Sequence, residues 1–229
     1  MVANLGFTAL LLAFGCAVFA AVMAPLGAVR RRPAWLASAH SAALLTWPLI
    51  TLAAGLLIVL LVTDQYQIDY VQKVTSRAMP MYLKVTALWG GQAGSLLFWS
   101  WLMATFAATA LLRRWDRDRH LMPYVIMTMM ITLGFFIMLV TVFENPFSKL
   151  WTLLPSGETV SRMLQPTGSI PLLPADGSGL NPLLRHPGMI IHPPMLYTGF
   201  VSFVVPFSFA IAALLTHSTD DEWVRTTRR

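Results

Sequence analysis

The chain has 229 residues, of which 56% are hydrophobic and only 11% charged, and its mean hydropathy is +0.64. This balance excludes an ordinary soluble domain and points to an all-α integral membrane protein. The formal net charge of +6 gives no case for a nucleic-acid partner, because the arginines flank apolar runs, where topology and contact with membrane lipid account for them.

An α-helix needs roughly 20 mostly apolar residues to cross a hydrocarbon core of about 30 Å. Five runs qualify, at about 4–29, 41–63, 93–112, 122–143 and 194–215. No basic residue precedes the first run and Arg30-Arg31-Arg32 follows it, the reverse of a cleaved signal peptide. With those arginines inside, the N-terminus lies outside and the C-terminus in the cytoplasm. The inner segments 30–40, 113–120 and 216–229 then carry ten of the sixteen Lys and Arg residues, and the two outer loops, about 64–92 and 144–193, share the other six. The outer loops are where function is expected. Cys16 lies alone in the first run, which excludes a disulfide framework and any CxxC or CxxCH motif. With no internal repeat, low-complexity tract or soluble segment, residues 1–229 read as a single membrane domain.

The third run opens on Trp89-Gly90-Gly91-Gln92-Ala93-Gly94-Ser95, with Trp99 and Trp101 following. The glycines permit close backbone approach and the tryptophans offer broad amphipathic faces, so a porphyrin or a peptide could stack here. An aromatic interface belt with small-residue helix packing explains the same residues without a ligand. A re-entrant entry into the membrane is also compatible with this glycine content. Neither a P-loop nor a dinucleotide fingerprint is present.

The second outer loop is rich in Pro, Gly, Asn and Asp, which favours turns over long regular structure. It ends at His192-Pro193-Pro194, where proline restrains the residue before it, so His192 is expected just ahead of the last span. Neutral imidazole ligates haem iron, zinc or copper, while a capping or interfacial polar role is the commoner use of one histidine at a helix start. His186 lies in the turn-rich segment, and His40, His120 and His217 fall toward the inner side. A protein-only zinc site lacks its converging ligands; one axial haem ligand does not.

Together, Trp89-Gly-Gly-Gln-Ala-Gly-Ser-Leu-Leu-Phe-Trp99 and Leu180-Asn-Pro-Leu-Leu with Ile191-His-Pro-Pro-Met-Leu-Tyr197 resemble the amino-terminal third of the CcmF family of haem lyases, haem-handling proteins of cytochrome c maturation. The likeness extends over essentially all 229 residues. It implies a cytochrome c biogenesis function in the bacterial inner membrane, with the working face periplasmic. There the family takes haem b, as a transiently bound substrate, from a haem chaperone and attaches it to the CxxCH cysteines of an apocytochrome c presented with a thiol-handling subunit. By its place in the motif, His192 is implied as an axial ligand of the haem iron and is the only metal ligand implied. Trp89, Gly90, Gly91, Gly94, Trp99, Pro193, Pro194 and Tyr197 are implied as possible haem or substrate contacts.

The family segment usually has an acidic residue where this chain has Ala93. The family's tryptophan-rich motif, its second external histidine and the histidines of its structural membrane haem belong to later segments. The chain is therefore expected to act with the remaining CcmF-like portion, as one product of a split gene or as a truncated product. The rival classes are a non-catalytic membrane scaffold and a transporter of haem or another small molecule. A transporter should carry charges or broken helices near the bilayer midplane, and these spans are nearly free of charge.

Overall fold

A computed structural model describes residues 1–113 and 119–218. Part of the expected inner segments 113–120 and 216–229, including the charged run Asp220–Arg229, lies outside the described residues.

In chain order the helices are α1 (Val2–Val29), α2 (Pro33–Val62), α3 (Asp69–Val74), α4 (Met81–Thr86), α5 (Gln92–Leu112), α6 (Met122–Met138), α7 (Pro187–Ser202) and α8 (Val204–Leu215). Among the described residues, five helical stretches are long and apolar enough to cross a membrane: Val2–Val29, Pro33–Val62, Gln92–Leu112, Met122–Phe143 and Pro187–Leu215, with hydropathies from 1.6 to 2.5. The fourth continues past α6 through a π-helical turn, Leu139–Phe143. The fifth joins α7 to α8. This is a multi-pass membrane protein.

The packing follows membrane logic. α1 exposes Leu5, Leu12, Phe19 and Val22 and buries Ala13, Ala17, Ala20 and Ala24. Lipid is as apolar as leucine, so large residues gain nothing by turning inward, whereas small ones let helices approach closely. On α6, a Cβ added to Gly134 would sit 3.9 Å from Ala17 Cβ.

Two spans begin earlier than their hydropathy indicates. α2 starts at Pro33 rather than 41, because proline suits the first helical position, where its missing N–H is not needed. Ala34, Leu36, Ala37 and Ala39 then propagate the helix. The expected inner segment 30–40 shrinks to a tight turn in which Arg31 is left-handed (φ +51°) and Arg32 N–H donates to Gly27 O at 2.8 Å. A Cβ on Gly27 would lie 2.9 Å from Leu36 N, so the turn requires glycine there. The same closure ends α2 at Asp64 (φ +54°) and α8 at His217 (φ +55°). The last span starts at Pro187 rather than 194.

The chain packs into two compact units, one of residues 1–10, 51–98 and 138–195 and the other of residues 11–50, 99–137 and 196–229. In the first, the two long loops fold together: Asp69 N–H donates to Ser148 O (3.0 Å) and Leu150 N–H to Gln67 O (2.9 Å). The second loop, expected to be mainly turns, also carries a small antiparallel sheet in the order β2-β1-β3, made of β1 (Lys149–Leu153), β2 (Thr159–Arg162) and β3 (Ser169–Pro171). Its strands are too short to stand out from the surrounding turn residues. Tyr66, Ile68, Val71, Leu97, Val140 and Phe147 form the unit's core.

Beside that core, Lys84 Nζ donates to both carboxylate oxygens of Asp64 at 2.6 Å, and Tyr66 Oη donates to Asp64 Oδ1 at 2.9 Å. Burial, and then the Asp64 carboxylate, push the Tyr66 hydroxyl well above its ordinary range. In the second unit Ala39, Ala43, Ile50, Ala104, Ile126, Met129, Leu133 and Phe209 form the core. There His40 Nε2 donates to Leu111 O at 3.1 Å, in the last turn of α5.

Asp64→Asn tests the ion pair, since asparagine tolerates the left-handed backbone but leaves the buried Lys84 ammonium without its counter-charge. With the Asp64 side chain 28% exposed, the expected loss is about 2 kcal/mol, below the range for a fully buried pair, read as a lower thermal midpoint in detergent.

Candidate functional site

In the first unit, the chain leading into α7 is fastened to the end of α3 by backbone groups. Asp176 Oδ1 accepts from the N–H of Arg77 (2.9 Å) and of Gly177 (2.7 Å). Ser178 N–H donates to Gln72 O (2.7 Å) and Gly179 N–H to Thr75 O (3.0 Å). A Cβ on Gly177 would collide with Thr75 O, so this approach needs glycine. The N–H groups of Arg77 and then Gly177 hold the Asp176 carboxyl below the usual carboxylate range.

Next along the chain, Leu180 is buried and its Cδ1 lies 2.5 Å from where a Cβ on Gly90 would be. Leu180 and the glycine segment, read from sequence as separate motifs, thus meet through one side chain in one small space.

Asn181 Oδ1 accepts from Leu183 N–H (3.0 Å) and opens a short 3-10 turn, Pro182–Arg185. His186 then caps α7. Its backbone is extended (ψ 134°), its Nδ1 accepts from Gly188 N–H at 3.1 Å, and its carbonyl accepts from Met189 N–H at 2.8 Å. Pro187 takes the first helical position. Accepting through Nδ1 leaves the proton on Nε2, so His186 in this role has no ring lone pair for a metal.

His192 is therefore not a residue ahead of the helix: it lies within α7, in the second turn. The prolines that suggested a boundary sit inside α7, where they cannot donate to the carbonyls of Met189 and Ile190 and so weaken the helix on either side of His192. The helix nevertheless starts earlier because His186 and Pro187 form a strong N-terminus. The His192 imidazole is exposed.

The glycine segment is organised by a residue that the motif reading missed. Tyr70 is 6% exposed, and its hydroxyl is placed to donate to the carbonyls of Ala87 (2.7 Å) and Leu88 (3.1 Å). A Cβ on Gly94 would collide with Tyr70 Oη and Leu88 O, and one on Gly91 would meet Tyr70 Cε2 at 3.1 Å. These two glycines make room for a buried phenol. Trp89 packs on Phe98 with ring centroids 5.4 Å apart. α5 begins as a regular helix at Gln92. Gln92 and Ala93, at the departure from the family pattern, line a cavity of about 590 Å³ with Asp69, Lys73, Glu144 and Arg162.

Trp99 and Tyr197 belong to the second unit, with centroids 5.0 Å apart. Trp99 also packs on Phe136 at 5.6 Å and lines an apolar cavity of about 600 Å³ with Phe136, Phe200 and Phe207. The spacing of Phe200, Phe203 and Phe207 is the sequence signal for this wall. Among the described residues, no group of three or more His, Cys, Asp or Glu is placed to hold a metal ion.

The "Cytochrome C assembly protein" family model matches residues 89–228, from the first tryptophan of the glycine segment onward. The chain belongs to the cytochrome c assembly protein family. Among its relatives, cytochrome c-type biogenesis protein CcmF of Pseudomonas aeruginosa is 36% identical over 230 residues, covering 100% of this chain and 32% of that protein. CcmF of Escherichia coli is 35% identical, with 100% and 32% covered. A solved structure titled "Cytochrome c Heme Lyase CcmF" matches with a TM-score of 0.77 at 22% identity, covering 100% of this chain and 33% of that one. That likeness is one of fold. The chain spans about a third of the length of these relatives.

Gly94→Ala should cost about 1–3 kcal/mol, because a backbone carbonyl cannot yield to the added methyl. Gly15→Ala and Gly55→Ala, with nothing within 4 Å of the added atom, should be neutral or stabilising, as read by thermal midpoint. The depressed Asp176 carboxyl contributes stability that is present above the unfolded carboxylate range and is lost as pH falls through its lowered folded value. Amide exchange at Ser178 and Gly179 should therefore accelerate on acidification beyond the intrinsic rate change. Asp176→Asn should remove that acid-specific step.

Proposed function

We propose that this chain is the amino-terminal portion of a cytochrome c haem lyase, working in the bacterial inner membrane with its N-terminus and long loops outside. The observation that carries this reading is the exposed imidazole of His192, held in a proline-weakened helix that is anchored at its start by His186 and by the Asp176–Leu180 segment. An exposed ring on an anchored helix can offer a nitrogen to haem iron presented from outside. Haem b is here a substrate, received from a haem chaperone and passed to the CxxCH thiols of an apocytochrome c.

The chain's own contribution is positioning. His192 would fix the iron, and with it the orientation of the macrocycle's vinyl groups toward the incoming thiols, which lowers the entropic part of the barrier. Trp99 and Tyr197, paired within the second unit with centroids 5.0 Å apart, are proposed as further contacts for a flat apolar molecule. The Trp89–Gly94 segment packs against Tyr70 and Leu180, supporting the approach to α7 and offering Trp89 as a further contact. One histidine supplies one axial ligand, so the second ligand and the tryptophan-rich motif come from the remaining CcmF-like portion.

His192→Ala should abolish cytochrome c maturation while leaving the chain inserted in the membrane, and should remove or shift the Soret band of the complex purified with its partner. His186→Ala should reduce maturation only mildly, through loss of a helix cap worth about 1 kcal/mol. Unchanged maturation in His192→Ala would remove that residue from the mechanism.

A further inference from the structure

The cavity of about 590 Å³ beside the glycine segment lies wholly within the first unit, and all residues of that unit are described. Four elements meet around it. α3 brings Asp69 and Lys73, β2 brings Arg162 at its end, and α5 opens onto it through Gln92 and Ala93. The fourth membrane span reaches it through the π-helical turn Leu139–Phe143, which Glu144 N–H closes by donating to Leu139 O at 2.9 Å. Turns of this kind are rare and concentrate at functional sites.

The charges around the cavity are only half paired. Lys73 Nζ meets Asp69 Oδ2 at 2.8 Å, whereas the half-buried Glu144 and the exposed Arg162 make no ion pair or side-chain hydrogen bond among the described residues. Two opposite charges thus share one cavity without neutralising each other. The leading N–H groups of α5 have no partner within the helix and add a positive end to the same cavity. A simple anion would satisfy Arg162 but would be repelled by Glu144, and a simple cation would do the reverse. A zwitterion satisfies both.

The apolar part of the lining selects among zwitterions. Phe7, Val142 and Phe143 line the cavity and belong to stretches long and apolar enough to cross a membrane, with Val142 68% and Phe143 69% exposed. A soluble zwitterion leaves these side chains uncovered, whereas acyl chains cover them. A primary ammonium can donate charge-assisted hydrogen bonds to the Glu144 carboxylate and a quaternary one cannot. Arginine in turn matches a phosphate by paired hydrogen bonds.

We propose that this cavity binds the headgroup of a zwitterionic phospholipid with a primary amine, phosphatidylethanolamine, with Arg162 taking the phosphate and Glu144 the ammonium. His192 is not among the lining residues, and the site does not rest on the haem-lyase reading.

The test uses the purified full chain, stripped of lipid in detergent and then exposed to phosphatidylethanolamine, phosphatidylcholine or phosphatidylglycerol of identical acyl chains, with bound lipids counted by native mass spectrometry. Phosphatidylethanolamine should be retained over the other two. Glu144→Gln should abolish its advantage over phosphatidylcholine, and Arg162→Gln should weaken retention of both by about fivefold, the worth of one basic residue at a headgroup. Ser161→Trp keeps both charges and fills the cavity from an exposed strand position, so it should weaken phosphatidylethanolamine retention at least as much. Equal retention of the three lipids, a preference for phosphatidylglycerol, or an unchanged preference in Glu144→Gln or unchanged retention in Ser161→Trp would overturn the proposal. Displacement of the lipid by glycerophosphoethanolamine, the same headgroup without acyl chains, at equal concentration would make this a site for a soluble zwitterion and would also overturn it.

Discussion

The backbone capture of residues 176–180 by the end of α3 is the constraint on which the first unit depends. A long loop loses conformational entropy when it is ordered, and this one has only a small sheet of its own to offset that loss. Asp176 closing on the Arg77 and Gly177 amides, with Ser178 and Gly179 donating to Gln72 and Thr75, fixes the loop where it turns toward the membrane. Leu180 then enters the space left by Gly90, and His186 opens α7 shortly after. The start of α7 is thus set by hydrogen bonds at its approach.

α7 itself combines a firm start with a weakened middle. Histidine at the cap and proline in the first position favour a helix, whereas Pro193 and Pro194 remove two donors immediately after His192. Continuing such a helix is unfavourable by several kcal/mol, so packing against its surroundings, as at buried Val201, must offset it. The arrangement leaves an exposed imidazole on a backbone with two fewer helical hydrogen bonds, which is what the proposed role of His192 would draw on. The glycine segment contributes differently: its glycines accommodate Tyr70 and Leu180, and Trp89 is the member of that segment that keeps a partly exposed ring.

Sequence legibility tracks the range of the interactions involved. The five spans were readable because hydropathy is a local property, and the ends expected at 29, 63, 112 and 143 fall within one residue of those observed. The early starts at Pro33 and Pro187 were hidden because polar residues in a first turn lower the local hydropathy without opposing the helix. His192 was singled out from the sequence but was placed outside its helix, since the rule for residues preceding proline was outweighed by the N-terminal signals further upstream. Tyr70 carried no motif. It matters because of two carbonyls and two glycines distant from it in sequence, and only folding brings these together.

By itself, the sequence determined membrane residence, the number of spans and the two segments that mark the family, because each depends on composition or short-range order. Tertiary structure alone decided that the two segments meet at Leu180 and Gly90, that Gly91 and Gly94 serve a buried phenol, and that His186 caps while His192 stays exposed. The physical reason is the same in each case. Hydropathy accumulates along the chain, whereas hydrogen-bond pairing and steric fit depend on groups that the chain brings together only when it folds.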